Sequence, residues 1–296
     1  MSDLKQRLQG ALPPLTMPFD DKGDLVKGAL REQIDFHIES GANALVIGGS
    51  TGEGHTLSDR DFVQCMQEAH EANAGRVPFV VGLIVNSTRQ AIERVRLLEG
   101  LKIDALQVTP VHYLFNPDAD GTVSHFRQIS EAVDTPILIY NVVPWNYLSV
   151  DLMLRIMAEV PGVAGMKQSG GDLESVSNLL RRSDPKNIIV TGTDALLYPA
   201  FTIGTQGAIS ALASATPGAV TRLYDAVKRD DHETARDLHR RLGDLWAALP
   251  HDNLPACVKY VQHVQGVGMY QPRAPMSPVS DELKKTLKPL VEALVM

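Results

Sequence analysis

Residues 137–167, ILIYNVVPWNYLSVDLMLRIMAEVPGVAGMK, contain the pattern that decides the fold. Two short apolar runs, Ile137–Val142 and Val163–Lys167, flank an amphipathic stretch at Val150–Glu159. Each run is nearly continuous in hydrophobicity, which is typical of strands buried on both faces, whereas a half-exposed strand alternates. The stretch therefore predicts a strand, a helix and a second, parallel strand.

Runs of the same kind recur along the chain at spacings of roughly 20–35 residues, the length of one strand–helix unit. With the two above they predict eight strands, and the other six are Leu12–Phe19, Ala44–Gly48, Phe79–Ile84, Ala105–Thr109, Asn187–Thr191 and Gly207–Ala211. Eight such units in series predict an α/β fold, a closed (β/α)8 TIM barrel. The competing fold is an open doubly wound sheet, which normally carries a GxGxxG motif after its first strand; this chain does not.

Amphipathic stretches between the runs predict the barrel helices, including Leu30–Glu39, Asp59–Asn73 and Thr88–Leu98. Ser58 and Thr88 are the predicted N-caps of the last two, since short hydroxyl side chains satisfy the first free N–H groups of a helix.

The chain continues past the eighth run with four more predicted helices: Thr216–Lys228, His232–Leu249, Asn253–Gln265 and Ser280–Val295. The first of these completes the barrel. We therefore predict a barrel over residues 1–228 and a C-terminal helical extension over 229–296. The extension is expected to pack on the barrel or to mediate oligomerisation.

Composition limits the partners of the protein. Of 296 residues 44% are hydrophobic and 21% charged, and 35 Asp and Glu outnumber 28 Lys and Arg to give a net charge of −7. No basic excess is present to bind nucleic acid or an anionic membrane. Cys65 and Cys257 form no CxxC motif or disulfide framework. Without an apolar signal-peptide core or a run long enough to span a membrane, a cytoplasmic location is expected.

Lysine placement is the strongest indication of a catalytic group. In a barrel of this type the active site lies at the carboxyl ends of the strands. Lys167 is the only one of eleven lysines that ends a predicted strand. Desolvation by the apolar run before it would favour the neutral, nucleophilic amine. The alternative is a structural lysine paired with an acidic neighbour in the barrel mouth.

The loop Gly48–Gly54 (GGSTGEG) follows the second predicted strand. Its glycines, Gly49 among them, allow backbone N–H groups to converge on an anion, and Ser50 and Thr51 add hydroxyl donors. The loop lacks the lysine of a P-loop, so a small carboxylate fits better than a nucleotide phosphate. The alternative is a tight turn in which Glu53 caps the next helix.

Tyr140 ends the fifth predicted strand, and its hydroxyl could transfer protons with help from Ser50. A core tyrosine with one satisfied hydroxyl is the alternative. The nine histidines form no HExxH motif, and no metal or other cofactor is predicted. A lysine, a tyrosine and a Ser–Thr pair on a glycine loop are the equipment of a class I, Schiff-base aldolase acting on a 2-oxo acid.

Several segments at or near the ends of the predicted strands form a recognisable set: Thr16–Phe19, Gly48–Glu53, Val108–Pro110, Tyr140–Asn141, Gly165–Gln168, Gly192–Asp194 and Gly207–Ser210. Through these segments the chain resembles the dihydrodipicolinate synthase / N-acetylneuraminate lyase family of pyruvate-handling barrels over essentially its whole length.

The resemblance implies roles for individual residues. Lys167 matches the Schiff-base lysine, Tyr140 the proton-relay tyrosine, and Ser50 and Thr51 the pair that binds the carboxylate of the 2-oxo acid. The wall around the methyl group of the acid is matched by Ile209 and Gly207. The family's usual homotetramer is expected here too.

Departures from the family pattern concern the second substrate. Synthases of lysine biosynthesis carry an arginine shortly after the YNxP motif, and residues 140–147 here have none. Sialic acid lyases usually place a glutamate after the position of Asp194, where this chain has alanine. Instead, Trp145 and Tyr147 predict a more apolar or aromatic pocket. His112 takes the place of the family's interface tyrosine, with Tyr113 one step on.

Three functions are compatible with these residues. The first is a lyase that makes or cleaves a C–C bond beside pyruvate or a related 2-oxo acid through a Lys167 imine. The second is a dehydratase or deaminase of a 2-keto-3-deoxy sugar acid or cyclic imino acid, using the same imine. The third is a non-catalytic 2-oxo acid sensor, suggested by His112.

Overall fold

A closed parallel barrel forms the centre of the protein. The computed structural model describes residues 2–295, in which eight parallel strands follow the order β1-β8-β7-β6-β5-β4-β3-β2. A parallel bridge between Pro14 and Val46 and a hydrogen bond from Leu15 N to Val46 O (2.8 Å) join the first segment to β2 and close the ring. The predicted (β/α)8 TIM barrel is confirmed. The strands are β1 (Gly10–Ala11), β2 (Leu45–Ile47), β3 (Phe79–Leu83), β4 (Ala105–Val108), β5 (Ile137–Asn141), β6 (Val163–Gln168), β7 (Ile188–Thr191) and β8 (Gly207–Ala208).

The first and last strands differ from the prediction. The run Leu12–Phe19 is not a strand along its length, because Pro13 and Pro14 have no N–H to donate to a ladder. Strand β1 instead lies just before it and pairs with β8. The eighth strand is also shorter than predicted: the Ser210 hydroxyl accepts from Ala213 N at 3.2 Å and begins a helix there.

Helices surround the barrel and extend beyond it. Their bounds are α1 (Ser2–Arg7), α2 (Ala29–Glu39), α3 (Asp59–Asn73), α4 (Thr88–Arg96), α5 (Ala119–Ala132), α6 (Val150–Glu159), α7 (Leu173–Arg182), α8 (Leu197–Thr202), α9 (Ala211–Ala215), α10 (Pro217–Lys228), α11 (His232–Ala248), α12 (Leu254–Val264) and α13 (Asp281–Val295). Ser58 caps α3 as predicted, accepting from Asp61 N at 3.1 Å. The predicted cap Thr88 is wrong: Ser87 caps α4, accepting from Gln90 N at 3.1 Å, because Thr88 already lies inside the helix.

The core has an inner and an outer part. A small aliphatic cluster fills the barrel interior, with Val46, Leu138, Val190 and Ile209 among its members. Two larger clusters lie between strands and helices, and one of them is shared by α8–α10 and α11–α13. The C-terminal helices therefore pack on the barrel, while a boundary at residue 228 stays a prediction. None of the described helices is long and apolar enough to cross a membrane.

Candidate active site

A cavity of about 680 Å³ lies at the carboxyl ends of the strands. Six of the residues selected from the sequence line it: Ser50, Thr51, Tyr140, Lys167, Asp194 and Ile209. They come from the loops or ends of five different strands, which the closed ring brings to one rim.

Lys167 lies on β6 beside Tyr140 on β5, with which it is in register. It is 5% exposed, and its Nζ lies 4.4 Å from the centroid of the Tyr140 ring. None of the ion pairs within residues 2–295 involves Lys167, so the structure places an amine against an aromatic face and not in a salt bridge. Gly192 makes room for it, since a Cβ atom there would lie 2.5 Å from Lys167 Cε.

The Tyr140 hydroxyl connects the lysine to the glycine loop. It donates to Ser50 Oγ at 3.0 Å and accepts from Ser50 N at 3.4 Å. Tyr140 is 2% exposed, yet it lines the cavity. Two hydroxyl groups in contact, one of them next to an amine, can move a proton to or from a molecule bound in the cavity.

The loop Gly48–Gly54 is folded tightly enough to require glycine. Gly48 has φ 83°, and a Cβ atom there would lie 2.8 Å from Gly82 O. The turn closes through hydrogen bonds from Glu53 N to Ser50 O and from Gly54 N to Gly49 O, both 3.0 Å. In this conformation Ser50 and Thr51 line the cavity, and Gly49 does not.

Glu53 does not cap a helix through its side chain. Its carboxylate instead forms a buried ion pair with Lys259 on α12 and accepts from Arg273 N at 2.8 Å. Lys259 Nζ also donates to Gln271 O at 2.7 Å. Burial lowers the pKa of Lys259, and the charge of Glu53 acts in the opposite direction. The glycine loop is thus tied to the C-terminal helices by charge.

Arg273 completes this connection. Its guanidinium donates to Gly23 O at 2.9 and 2.7 Å, to Thr56 O at 2.8 Å and to Asp61 Oδ2 at 3.1 Å. The group also lies 4.1 Å from the centroid of the Phe19 ring. Sequence reasoning missed both Lys259 and Arg273. A lysine inside the otherwise apolar stretch Cys257–Val261 was a signal that its side chain is buried and paired.

Asp194 lies at the cavity wall and holds the start of α9. Its Oδ1 accepts from Leu212 N at 2.6 Å, and the residue is 7% exposed. Burial raises the pKa of the Asp194 carboxyl, while hydrogen bonds from Leu212 and Ser210 and the charge of Lys167 act against the rise.

Four residues predicted for the site, Gly49, Gly207, His112 and Trp145, are not among those that line the cavity. Gly207 faces β1, where a Cβ atom would lie 2.5 Å from Gly10 O. His112 and Trp145 lie in neighbouring loops: Trp145 Nε1 donates to His112 O at 2.8 Å, and the indole is 67% exposed. Tyr147, two residues on, does line the cavity.

The outer wall of the cavity comes from the C-terminal part of the chain, which the sequence did not assign to the site. Trp246, His251, Leu254 and Met276 line the mouth. No local pattern distinguishes these residues, because their approach to the barrel depends on how α11 and α12 pack.

Comparisons with known proteins agree with this geometry. The sequence profile of the Dihydrodipicolinate synthetase family matches residues 7–294. The 4-hydroxy-tetrahydrodipicolinate synthase of Methanopyrus kandleri is 31% identical over 285 residues, covering 95% of each chain. That of Leptothrix cholodnii is 34% identical over 282 residues, covering 94% of this chain and 95% of the other.

Two solved structures extend the similarity to three dimensions. Dihydrodipicolinate synthase from Aquifex aeolicus has a TM-score of 0.89 at 28% identity, covering 97% of this chain and 98% of the other. N-acetylneuraminate lyase from Mycoplasma synoviae has a TM-score of 0.88 at 26% identity, covering 98% and 99%.

Proposed function

The chain belongs to the dihydrodipicolinate synthetase family and is a pyruvate-dependent, Schiff-base lyase of the aldolase type, and we propose that Lys167 is its imine-forming amine. The relatives are named synthases and a lyase, which favours making or cleaving a C–C bond over the dehydratase, deaminase and sensor alternatives.

One observation carries the assignment of roles: the Lys167 amine, the Tyr140 hydroxyl and the Ser50 hydroxyl meet in one cavity. The amine attacks C2 of the 2-oxo acid, and the resulting carbinolamine loses water to give the protonated imine. Tyr140 supplies the proton that leaves with the water, and its contact with Ser50 gives that proton a path from the carboxylate end of the site. In the cleavage direction the Tyr140 oxygen, now deprotonated, takes the proton of the hydroxyl beside the C–C bond that breaks, and the imine accepts the electron pair of that bond.

The 2-oxo acid carboxylate would lie at the turn of the glycine loop. Ser50 and Thr51 present hydroxyl groups there, and Gly49 allows the backbone to approach closely. Ile209 supplies the apolar wall for the methyl group, with Gly207 behind it. Asp194 keeps the opposite wall in place through its bond to Leu212 N.

We extend the proposal to the assembly and location of the protein. Tyr113, Leu114, Phe115 and Trp145 are exposed by 67 to 79% on two adjacent loops beside the site. Exposed apolar patches of this kind mark contact surfaces, and they support the homotetramer that the family resemblance implies. In that assembly His112 would lie close to an interface. A cytoplasmic location stays a prediction from the sequence.

The proposal is tested by trapping the imine. After incubation with pyruvate and reduction with borohydride, the intact chain should gain the mass of one reduced pyruvate. Lys167→Met should gain none, whereas the control Lys186→Met, at an exposed lysine paired with Asp184, should behave as the unmodified protein. No gain in the unmodified protein, or an unchanged gain in Lys167→Met, would refute the assignment.

A further inference from the structure

The cavity has room for much more than a three-carbon acid. Its inner part holds Lys167, Tyr140 and the hydroxyl groups of the glycine loop, and its outer part is built by the C-terminal helices and the loop around Met276. In the proposed function the outer part receives the second carbonyl compound. The chemistry of this outer wall therefore determines which aldehyde the enzyme uses.

The outer wall is largely apolar. Trp246 of α11 and Leu254 of α12 are half-buried along it, and Met276 covers the side nearer solvent. Tyr147 and Val142 lie in the loop after β5. The Trp246 ring is held in place by His251, which stacks on it at 4.2 Å with an interplanar angle of 27°. A flat or branched apolar group fits such a surface.

The charged groups of the outer wall do not favour a second substrate that carries a negative charge. Arg273 lines the cavity, and its guanidinium is already engaged by Gly23, Thr56 and Asp61. Asp252 lines the rim and would repel a carboxylate. A second substrate with a carboxylate would therefore bury a charge without a partner, which is costly.

Two hydroxyl groups of the outer wall are also engaged. Thr56 Oγ1 donates to Glu53 O at 2.8 Å, and Thr193 Oγ1 donates to Gly170 O at 3.0 Å. A polyhydroxylated aldehyde would have to displace these bonds or lose its own hydration. Of the other polar groups, the Ser169 hydroxyl is buried and has no hydrogen-bond partner within the part of the chain that the structure describes, while His55, His251 and Asp252 are exposed at the rim.

We propose that the second substrate is an uncharged aldehyde with an aromatic or branched apolar body, bound against Trp246, Leu254 and Met276. This rests on the proposed imine at Lys167. The Tyr140 oxygen, deprotonated when the imine formed, takes a proton from C3 and the imine becomes an enamine. C3 then forms a bond to the aldehyde carbon as the C=O π bond opens, and the aldehyde oxygen takes the proton back from Tyr140. Water then adds to C2, Lys167 leaves as the free amine, and a 4-hydroxy-2-oxo acid is released.

The test compares three aldehydes with pyruvate in excess: benzaldehyde, glyceraldehyde and succinic semialdehyde. Product is measured by mass spectrometry as the sum of the two reactants. We expect kcat/KM for benzaldehyde to exceed the other two by about tenfold or more, the discrimination that an apolar pocket gives. Preference for succinic semialdehyde or glyceraldehyde, or no preference, would overturn the proposal.

Two variants locate the subsite. Trp246→Ala should raise KM for benzaldehyde by about tenfold without changing KM for pyruvate. Met276→Ala should raise KM for benzaldehyde by a smaller factor, and because Met276 lies on an exposed loop the variant should fold normally. Leu97→Ala, an exposed residue on the outer face of the barrel, is the control. Unchanged benzaldehyde kinetics in both pocket variants would contradict the placement.

Borohydride trapping separates this proposal from the function on which it rests. A pyruvate adduct at Lys167 without benzaldehyde turnover refutes only the aldehyde class. No adduct refutes the imine itself.

Discussion

The buried ion pair between Glu53 and Lys259 connects the substrate loop to the C-terminal helices, and breaking it should cost both stability and binding. The two side chains are 2% and 0% exposed. Lys259→Met keeps most of the side-chain volume but leaves the Glu53 carboxylate with Arg273 N–H as its remaining partner. Removing one member of a buried pair typically costs about 3–5 kcal/mol, because the other charge stays buried.

The double variant Glu53→Gln/Lys259→Met removes both charges together. The amide oxygen of the glutamine introduced in place of Glu53 would still accept from Arg273 N, and no unpaired charge would remain inside. We therefore expect the double variant to lose less stability than the sum of the two single variants, with a coupling of about 1–3 kcal/mol.

The assay is urea unfolding of the four proteins at one fixed protein concentration, with KM for pyruvate measured on each. Because Glu53 closes the turn that begins at Ser50, Lys259→Met should also raise KM for pyruvate. Additive losses within about 0.5 kcal/mol, or a Lys259→Met protein as stable as the parent, would refute the claim that this pair holds the loop.

Three further predictions concern single side chains. Tyr140→Phe should lower turnover by about two to four orders of magnitude while the borohydride adduct still forms; unchanged turnover would remove Tyr140 from the relay. Gly192→Ala should displace the aliphatic part of the Lys167 side chain and slow formation of the borohydride-reduced pyruvate adduct about a hundredfold, measured as the rate of mass gain. An unchanged rate would show that the close contact between Gly192 and Lys167 is unimportant. Burial lowers the pKa of His37 to about 4 from 6.5, so the unfolded chain binds the proton first as pH falls. Stability is therefore full above pH about 6.5 and falls towards pH 4, by up to about 1.4 kcal/mol per pH unit; in urea unfolding at pH 7, 6 and 5, His37→Gln should flatten this slope.

The sequence predicted the middle of the barrel well and its ends poorly. Strands such as β3 and β5 are continuous apolar runs, and their hydrophobicity alone marks them to within a residue. The first strand was placed wrongly because the run that contains Pro13 and Pro14 is as apolar as a strand but lacks the backbone N–H donors that strand pairing needs. The eighth strand ends earlier than predicted because Ser210 caps helix α9, so Ala211 begins that helix although the apolar sequence continues through it.

The inner part of the candidate site was predictable for a topological reason. Residues at the carboxyl ends of parallel strands must meet at one rim, so Lys167, Tyr140 and Ser50 could be brought together from their places in the chain order. Lys259 and Trp246 could not. They reach the site from helices about 200 residues after the glycine loop, and helix packing angles set which side chains arrive there.

The proposed chemistry rests on one covalent bond, between Lys167 Nζ and C2 of pyruvate. The most direct measurement digests the borohydride-reduced protein and identifies the modified peptide by tandem mass spectrometry. We expect a single modified lysine, Lys167, in the peptide that contains residues 163–168. Modification of Lys259 or of an exposed lysine in place of Lys167, or no modified peptide, would contradict the assignment.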